Sequence, residues 1–215
     1  MLSRKVAIYG AGGFAREVAW LAEDAGMEVV CFIDDDPQRQ GELLNNIPIL
    51  GLQDVKEGYP DVPLVVAVGS PQIREQLVDK ATKSGFSFTT MLHPRVRSSK
   101  WVEIGEGCVI TAGNILTVNI RLGKHVQINL DCTVGHDVIM EDYVTLAPGV
   151  HVSGWVHFGK RVYVGTGAVI INGTAERPMV IGEDAVVGAG AVVTKPVPSG
   201  ATVVGVPARP LQKGI

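Results

Sequence analysis

From Ile104 onward, every sixth residue is apolar: Ile104, Ile110, Leu116, Leu122, Ile128, Val134, Met140, Leu146, Val152, Phe158, Val164 and Ile170. With 46% of the chain apolar, an unbroken run of that length in one frame arises by chance about once in ten thousand. The residues four places later are mostly small or β-branched, from Cys108 through Val126 and Cys132 to Ala168. Glycine follows the key apolar residue at 105, 123, 135, 159 and 165. A period of six is neither helical nor the alternation of a hairpin strand. It means short strands separated by corners, each coil burying its key residues against the coils above and below. Hairpin turn signals are missing, which argues against a sandwich or a propeller. The frame slips between Ile170 and Ile181, so residues 172–179 are expected to loop out before it resumes at Ile181, Val187 and Val193.

Residues 4–92 carry a different pattern. Lys5–Tyr9, Val29–Ile33 and Leu64–Val68 read as buried strands. Phe14–Ala25 has apolar residues at helical spacing and stops at Gly26, and residues 71–84 read as a second helix. Phe86–Leu92 reads as a short final strand. Strand–helix alternation argues for a parallel sheet covered by helices. The period changes after Pro94, giving an expected division into residues 1–94 and 95–215.

The totals exclude several classes. A net charge of −3 with 19% charged residues gives no field suited to nucleic acid or an anionic membrane. No apolar run approaches the roughly 18 residues of a membrane span, and Met1–Lys5 lacks the pattern of a cleavable signal. Cys31, Cys108 and Cys132 are odd in number and sit among apolar residues, as buried thiols of a cytoplasmic protein would.

Two constellations carry chemistry. Gly10-Ala11-Gly12-Gly13-Phe14-Ala15 follows a strand, opens a helix and fits G-x-G-x-x-[G/A]. Backbone N–H groups at a helix start suit phosphate oxygens, and Asp34 closes the second strand where a carboxylate accepts a ribose hydroxyl. A dinucleotide and a ligand-free tight turn are the readings of the loop itself. No second mononucleotide unit and no dehydrogenase-like domain follow. The second constellation is His136-Asp137, near a corner of the repeat. An imidazole suits the removal of a proton from an attacking amine, and an adjacent carboxylate fixes its tautomer. The alternative is a corner histidine in a packing contact. Gly154 lies 18 residues, or three hexads, beyond His136. His151 and His157 read as packing residues and His93 as a linker residue. In a coil of three hexads the spacings 136 to 151 and 151 to 157 do not stack, which argues against a three-histidine zinc site.

The hexads of 104–198, the ending Pro198-Ser199-Gly200-Ala201-Thr202-Val203-Val204-Gly205-Val206-Pro207-Ala208-Arg209-Pro210, the loop Tyr9–Gly13 and Gly135-His136-Asp137 together resemble the PglD/NeuD-type sugar acetyltransferases of the hexapeptide-repeat superfamily. The resemblance implies an α/β Rossmann-like N-terminal domain followed by an all-β left-handed parallel β-helix with three hexads per coil, assembled as a homotrimer. It implies acetyl-CoA as cosubstrate, no metal, and as acceptor a UDP- or GDP-linked 4-amino-4,6-dideoxy sugar. It puts the general base on His136 with Asp137 beside it, and the nucleotide sugar at Gly12, Gly13, Phe14, Asp34, Asp35 and Gly69. It puts the CoA arm near Thr145, Thr166 and Ala189. With three hexads per coil, Gly154 stands one coil above His136 with its N–H available to an oxyanion, or serves only as a corner glycine. Relatives often carry His where Phe14 stands and Gly where Ala15 stands. Two other functions remain open at this point: a sugar O-acetyltransferase of the sialic-acid type, and a nucleotide-binding trimeric scaffold with an idle site.

Overall fold

The computed structural model describes residues 4–211. β1 (Arg4–Tyr9) ends in four consecutive buried residues, as a strand covered on both faces requires. It lies between β2 (Met27–Ile33) and β5 (Leu64–Val66), parallel to both. α1 (Gly13–Asp24) buries Ala15, Val18, Leu21 and Ala22 along one stripe and stops before Gly26, whose φ of 66° suits glycine. α3 (Pro71–Lys83) starts with Pro at its first turn and Ser70 as N-cap.

Residues 37–63, for which the periodicity gives no element, hold three more. β3 (Leu43–Leu44) and β4 (Ile47–Leu50) form a hairpin, and β4 runs parallel to β2. The hairpin turns on Asn45 and Asn46, with φ of 49° and 63°, the pair of positive angles that a two-residue turn needs. α2 (Leu52–Gly58) follows. The sheet order is β3-β4-β2-β1-β5.

The expected strand over Phe86–Leu92 divides. Phe88 makes one bridge to Leu64 at the free edge of β5. Met91–Leu92 instead pairs with Val109–Ile110 as the first strand of the coil. The chain therefore enters the coil just before Pro94.

The coil has three parallel faces. The first carries Met91–Leu92, Val109–Ile110, Gln127–Ile128, Thr145–Leu146, Tyr163–Val164, Val186–Val187 and Thr202–Val204. The second runs from Arg97–Ser98 to Val192–Val193 and the third from Val102–Ile104 to Met179–Ile181. Gln127 pairs with Thr145 and Thr133 with His151, a step of 18 residues per coil. His157 pairs with Val180, so one coil holds an insertion, the exposed stretch 172–178. The key apolar residues of all three faces stack as one continuous core. A left-handed backbone position recurs every sixth residue, at Gly107, Gly113, Asn119, His125, Asp131, Asp137 and Tyr143. The glycines that follow the key residues serve another need: a Cβ on Gly135 would lie 2.7 Å from the Ser153 carbonyl carbon of the next coil.

The N-terminal domain sits on the first face. Gln127 donates to the Val66 carbonyl at 2.8 Å. His93, read from the sequence as a linker residue, is buried and meets Asp24 of α1 at 2.8 Å. His151 and His157, expected to pack, point outward to Thr133 and Glu141. The three thiols are buried, which pushes Cys31 and Cys108 up to about 12 and Cys132 to about 11. Among the described residues no helix is long and apolar enough to cross a membrane.

Candidate active site

Gly12, Gly13, Phe14, Asp34, Asp35 and Gly69 come together in the walls of one cavity of about 380 Å³. It opens at the carboxyl ends of β1, β2 and β5, where parallel sheets bind ligands. Gly10 makes the loop possible. Its φ is 118°, and a Cβ there would press on the Ala67 carbonyl oxygen at 2.9 Å. A Cβ on Gly12 would meet no atom within 4 Å, so that face is open to a ligand. The first turn of α1 carries no acidic side chain and its N-cap no side-chain hydrogen bond, which leaves N–H groups for an anion.

Both acidic residues are held in place. Asp34 accepts from Arg39 Nη1 at 2.7 Å and from the Asp36 N–H at 3.0 Å. Arg39 also donates to the Ala11 carbonyl at 3.0 Å, tying the second strand to the glycine loop. Asp35 accepts from the Tyr9 hydroxyl at 2.7 Å and pairs with Lys80 at 2.8 Å. Burial and then the Asp35 bond push the Tyr9 phenol above its ordinary range, so it stays a donor. Each carboxylate oxygen keeps lone-pair capacity for a ligand hydroxyl.

His136, Asp137 and Gly154 come together at the corner joining the second face to the third. His136 Nδ1 donates to Asp137 Oδ2 at 2.8 Å. Asp137 Oδ1 accepts from Asn119 Nδ2 at 3.2 Å. That order of donors leaves His136 Nε2 as the acceptor nitrogen. The imidazole is half exposed, and Trp155 stands edge-on at 6.3 Å between ring centroids. The ring lies over Gly154, where a Cβ would meet Cε1 and Nε2 at 2.5 Å. Gly154 is absent from the left-handed positions, so it is glycine for the space it leaves and not for its backbone angles. Its N–H has no backbone acceptor among the described residues. A groove of about 520 Å³ adjoins this corner, walled in part by Trp101, Asn119, Asp137, Trp155 and Pro178.

The three residues expected on the CoA arm separate. Thr166 and Ala189 are exposed and stack one coil apart, at the corner from the first face to the second. Thr145 is a correction. It is 1% exposed under the N-terminal domain. Its hydroxyl donates to the Gly69 carbonyl at 3.0 Å and accepts from Arg74 Nη2 at 3.0 Å. A side chain so enclosed is not a CoA contact.

Sequence reasoning misses two residues here. Asn119 was legible, since it stands 18 residues before Asp137 at the same left-handed corner position. Arg74, fully buried between α3 and the coil, gave no signal, because a lone arginine on a helix reads as a solvated one. Among the described residues no three His, Cys, Asp or Glu side chains form a metal-holding group.

The family model described as the PglD N-terminal domain matches residues 5–81. A GDP-perosamine N-acetyltransferase of Escherichia coli O157:H7 is 33% identical over 213 residues, spanning 96% of each chain. The structure of WeeI from Acinetobacter baumannii AYE is 38% identical, with a TM-score of 0.88 over 96% of this chain and 99% of that one. PerB from Caulobacter crescentus, solved in complex with CoA and GDP-perosamine, is 31% identical, with a TM-score of 0.87 over 97% of both chains. Similarity over nearly the whole length spans the glycine-rich half and the left-handed coil together, and the chain accordingly belongs to the PglD-type sugar acetyltransferases of the hexapeptide-repeat acyltransferase superfamily.

Proposed function

We propose that this chain transfers the acetyl group of acetyl-CoA to the amine of a nucleotide-linked 4-amino-4,6-dideoxy sugar, with His136 as general base. The observation that carries the reading is the relay Asn119–Asp137–His136, which engages Nδ1 and leaves Nε2 as the nitrogen to act as base. The amine nitrogen attacks the thioester carbon and the C–S bond breaks. The proton leaves nitrogen for His136 Nε2 and passes on to the departing CoA thiolate. The Gly154 N–H, without a backbone acceptor, is assigned to the oxyanion of the tetrahedral intermediate. Thr166 and Ala189 are assigned to the CoA arm.

The nucleotide diphosphate is assigned to the start of α1 and the ribose to Asp34 and Asp35. GDP is the nucleotide to test first, because GDP-perosamine stands in the name of the whole-length relative. In this reading residues 1–94 bind the nucleotide sugar and 95–215 carry the transfer.

The two half-sites lie apart within one chain. The glycine-loop cavity belongs to the domain on the first face, while His136 stands where the second and third faces meet. That corner of a three-sided coil does not border the first face. A second copy must bring its corner to the cavity, and a homotrimer is the assembly proposed.

The test is thiol release on mixing the protein with acetyl-CoA and GDP-perosamine, a UDP-4-amino sugar or free sialic acid. Turnover with an amino sugar on a nucleotide is the expected result. Turnover with sialic acid alone would replace N- by O-acetylation, and no turnover with any acceptor would leave a scaffold.

A further inference from the structure

Arg74 is 0% exposed, yet among the described residues no carboxylate is bonded to it. Its Nε donates to the His125 carbonyl at 2.9 Å. Nη1 reaches the Val68 carbonyl at 2.8 Å and Gln127 Oε1 at 2.9 Å. Nη2 reaches the Tyr143 carbonyl at 2.6 Å and Thr145 Oγ1 at 3.0 Å. Every partner is neutral. Burial holds the group down to about 9, which still leaves it protonated at neutral pH. Buried cations are ordinarily paired with an anion, so an uncompensated one is a cost that docking alone does not explain. Docking has other holds: Arg161 binds Glu75 at 3.0 Å and Gln72 binds Asp184 at 3.1 Å, both joining α3 to the coil.

What distinguishes Arg74 is the wall it grips. Val68 and Gly69 line the glycine-loop cavity. Thr145 completes the link by donating to the Gly69 carbonyl while accepting from Arg74. We propose that Arg74 is a positioning residue for the nucleotide half-site: it fixes the Val68–Gly69 wall against the coil and places an unneutralised positive charge behind it, favouring a bound diphosphate. The charge acts through a water-poor interior, where screening is weak. The inference rests on the nucleotide-sugar reading above.

The experiment is calorimetric titration of the full chain with GDP and, separately, with CoA. Arg74→Lys keeps the charge and loses the planar fork. It is expected to weaken GDP binding about tenfold with CoA affinity and oligomeric state unchanged. Arg74→Met loses both and is expected to weaken GDP binding further. Thr145→Val keeps the arginine and removes the hydroxyl that links Gly69 to Arg74, so it guards against a misfolded arginine variant. Severalfold weaker GDP binding is expected there. Wild-type GDP affinity in folded Arg74→Lys and Thr145→Val, or an equal loss for CoA, overturns the role of Arg74 alone. A wild-type chain that binds neither GDP nor UDP overturns the nucleotide-sugar reading, and this inference with it.

Discussion

At the residue scale the corner of the coil links three side chains in a row. Asn119 orients Asp137, Asp137 orients His136, and the imidazole needs the missing side chain of Gly154 to lie where it does. Removing the proposed base, His136→Ala, is expected to lower kcat by about 10²- to 10⁴-fold with folding intact, as steady-state thiol release would register. Near-wild-type turnover in that variant would end its candidacy as base. Gly154→Ala is expected to lower turnover about tenfold to a hundredfold by pushing the ring aside. Its backbone angles suit alanine, so circular dichroism should stay that of the wild type; a wild-type rate would mean that the ring is free to move without consequence.

A second histidine acts on stability. His125 is 3% exposed, stacks on Tyr143 and has no partner for Nδ1. Burial, followed by the neighbouring Arg74 charge, lowers its pKa from 6.5 to about 4. Above pH 6.5 it is neutral in both folded and unfolded chains. As the pH falls from 6.5 towards 4 the unfolded chain gains a proton that the folded one refuses, so stability is lost across that window. The loss amounts to about 3 kcal/mol at its lower end. Urea midpoints should fall between pH 7 and pH 4.5, and less steeply in His125→Asn, which tolerates the same left-handed backbone. Equal slopes for the two proteins would remove His125 as the cause.

At the scale of elements the coil is a one-dimensional stack, in which each layer contributes its key residues and contacts only its neighbours. Leu146 is fully buried in that stack. Leu146→Ala is expected to cost about 2–5 kcal/mol, measurable by urea unfolding, and a cost under ~1 kcal/mol would mean that the stack is loosely packed there. Regularity made the coil legible. Twelve hexads fix its strands, and the slipped frame marks an insertion expected over 172–179, of which Met179 is instead buried as the first residue of a third-face strand. The β3–β4 hairpin and α2 are too short for periodicity to register, although Asn45-Asn46 carries the turn signal that identifies the hairpin. Phe86–Leu92 misleads for a related reason. Its apolar run says strand, but nothing local says that Phe88 will serve the sheet and Met91 the coil.

At the scale of the molecule the question is how two distant half-sites work as one. If each site uses the glycine loop of one chain and His136 of another, two inactive variants should complement. Mixed assemblies of His136→Ala chains with Gly12→Trp chains, whose cavity is blocked, are expected to recover part of wild-type turnover. Neither variant alone would show it. A coexpressed mixture as inactive as its parents would confine the site to a single chain. The same logic requires that sedimentation report a trimer; a monomer with full activity contradicts it.

Spacing alone marked the change from strand–helix alternation to a six-residue period and the glycine loop at a strand end, and with the three-hexad coil that the resemblance implies it placed Gly154 beside His136. Each is a consequence of a local period, and a period fixes which residues recur on one face. Tertiary structure alone decided the fates of Thr145, Arg74 and His93. All three lie where the N-terminal domain meets the first face of the coil. That contact joins residues as far apart as Gly69 and Thr145, 76 positions along the chain, a separation that no window can sense, and docking turned an expected CoA contact, an arginine and a linker histidine into buried links between the two halves.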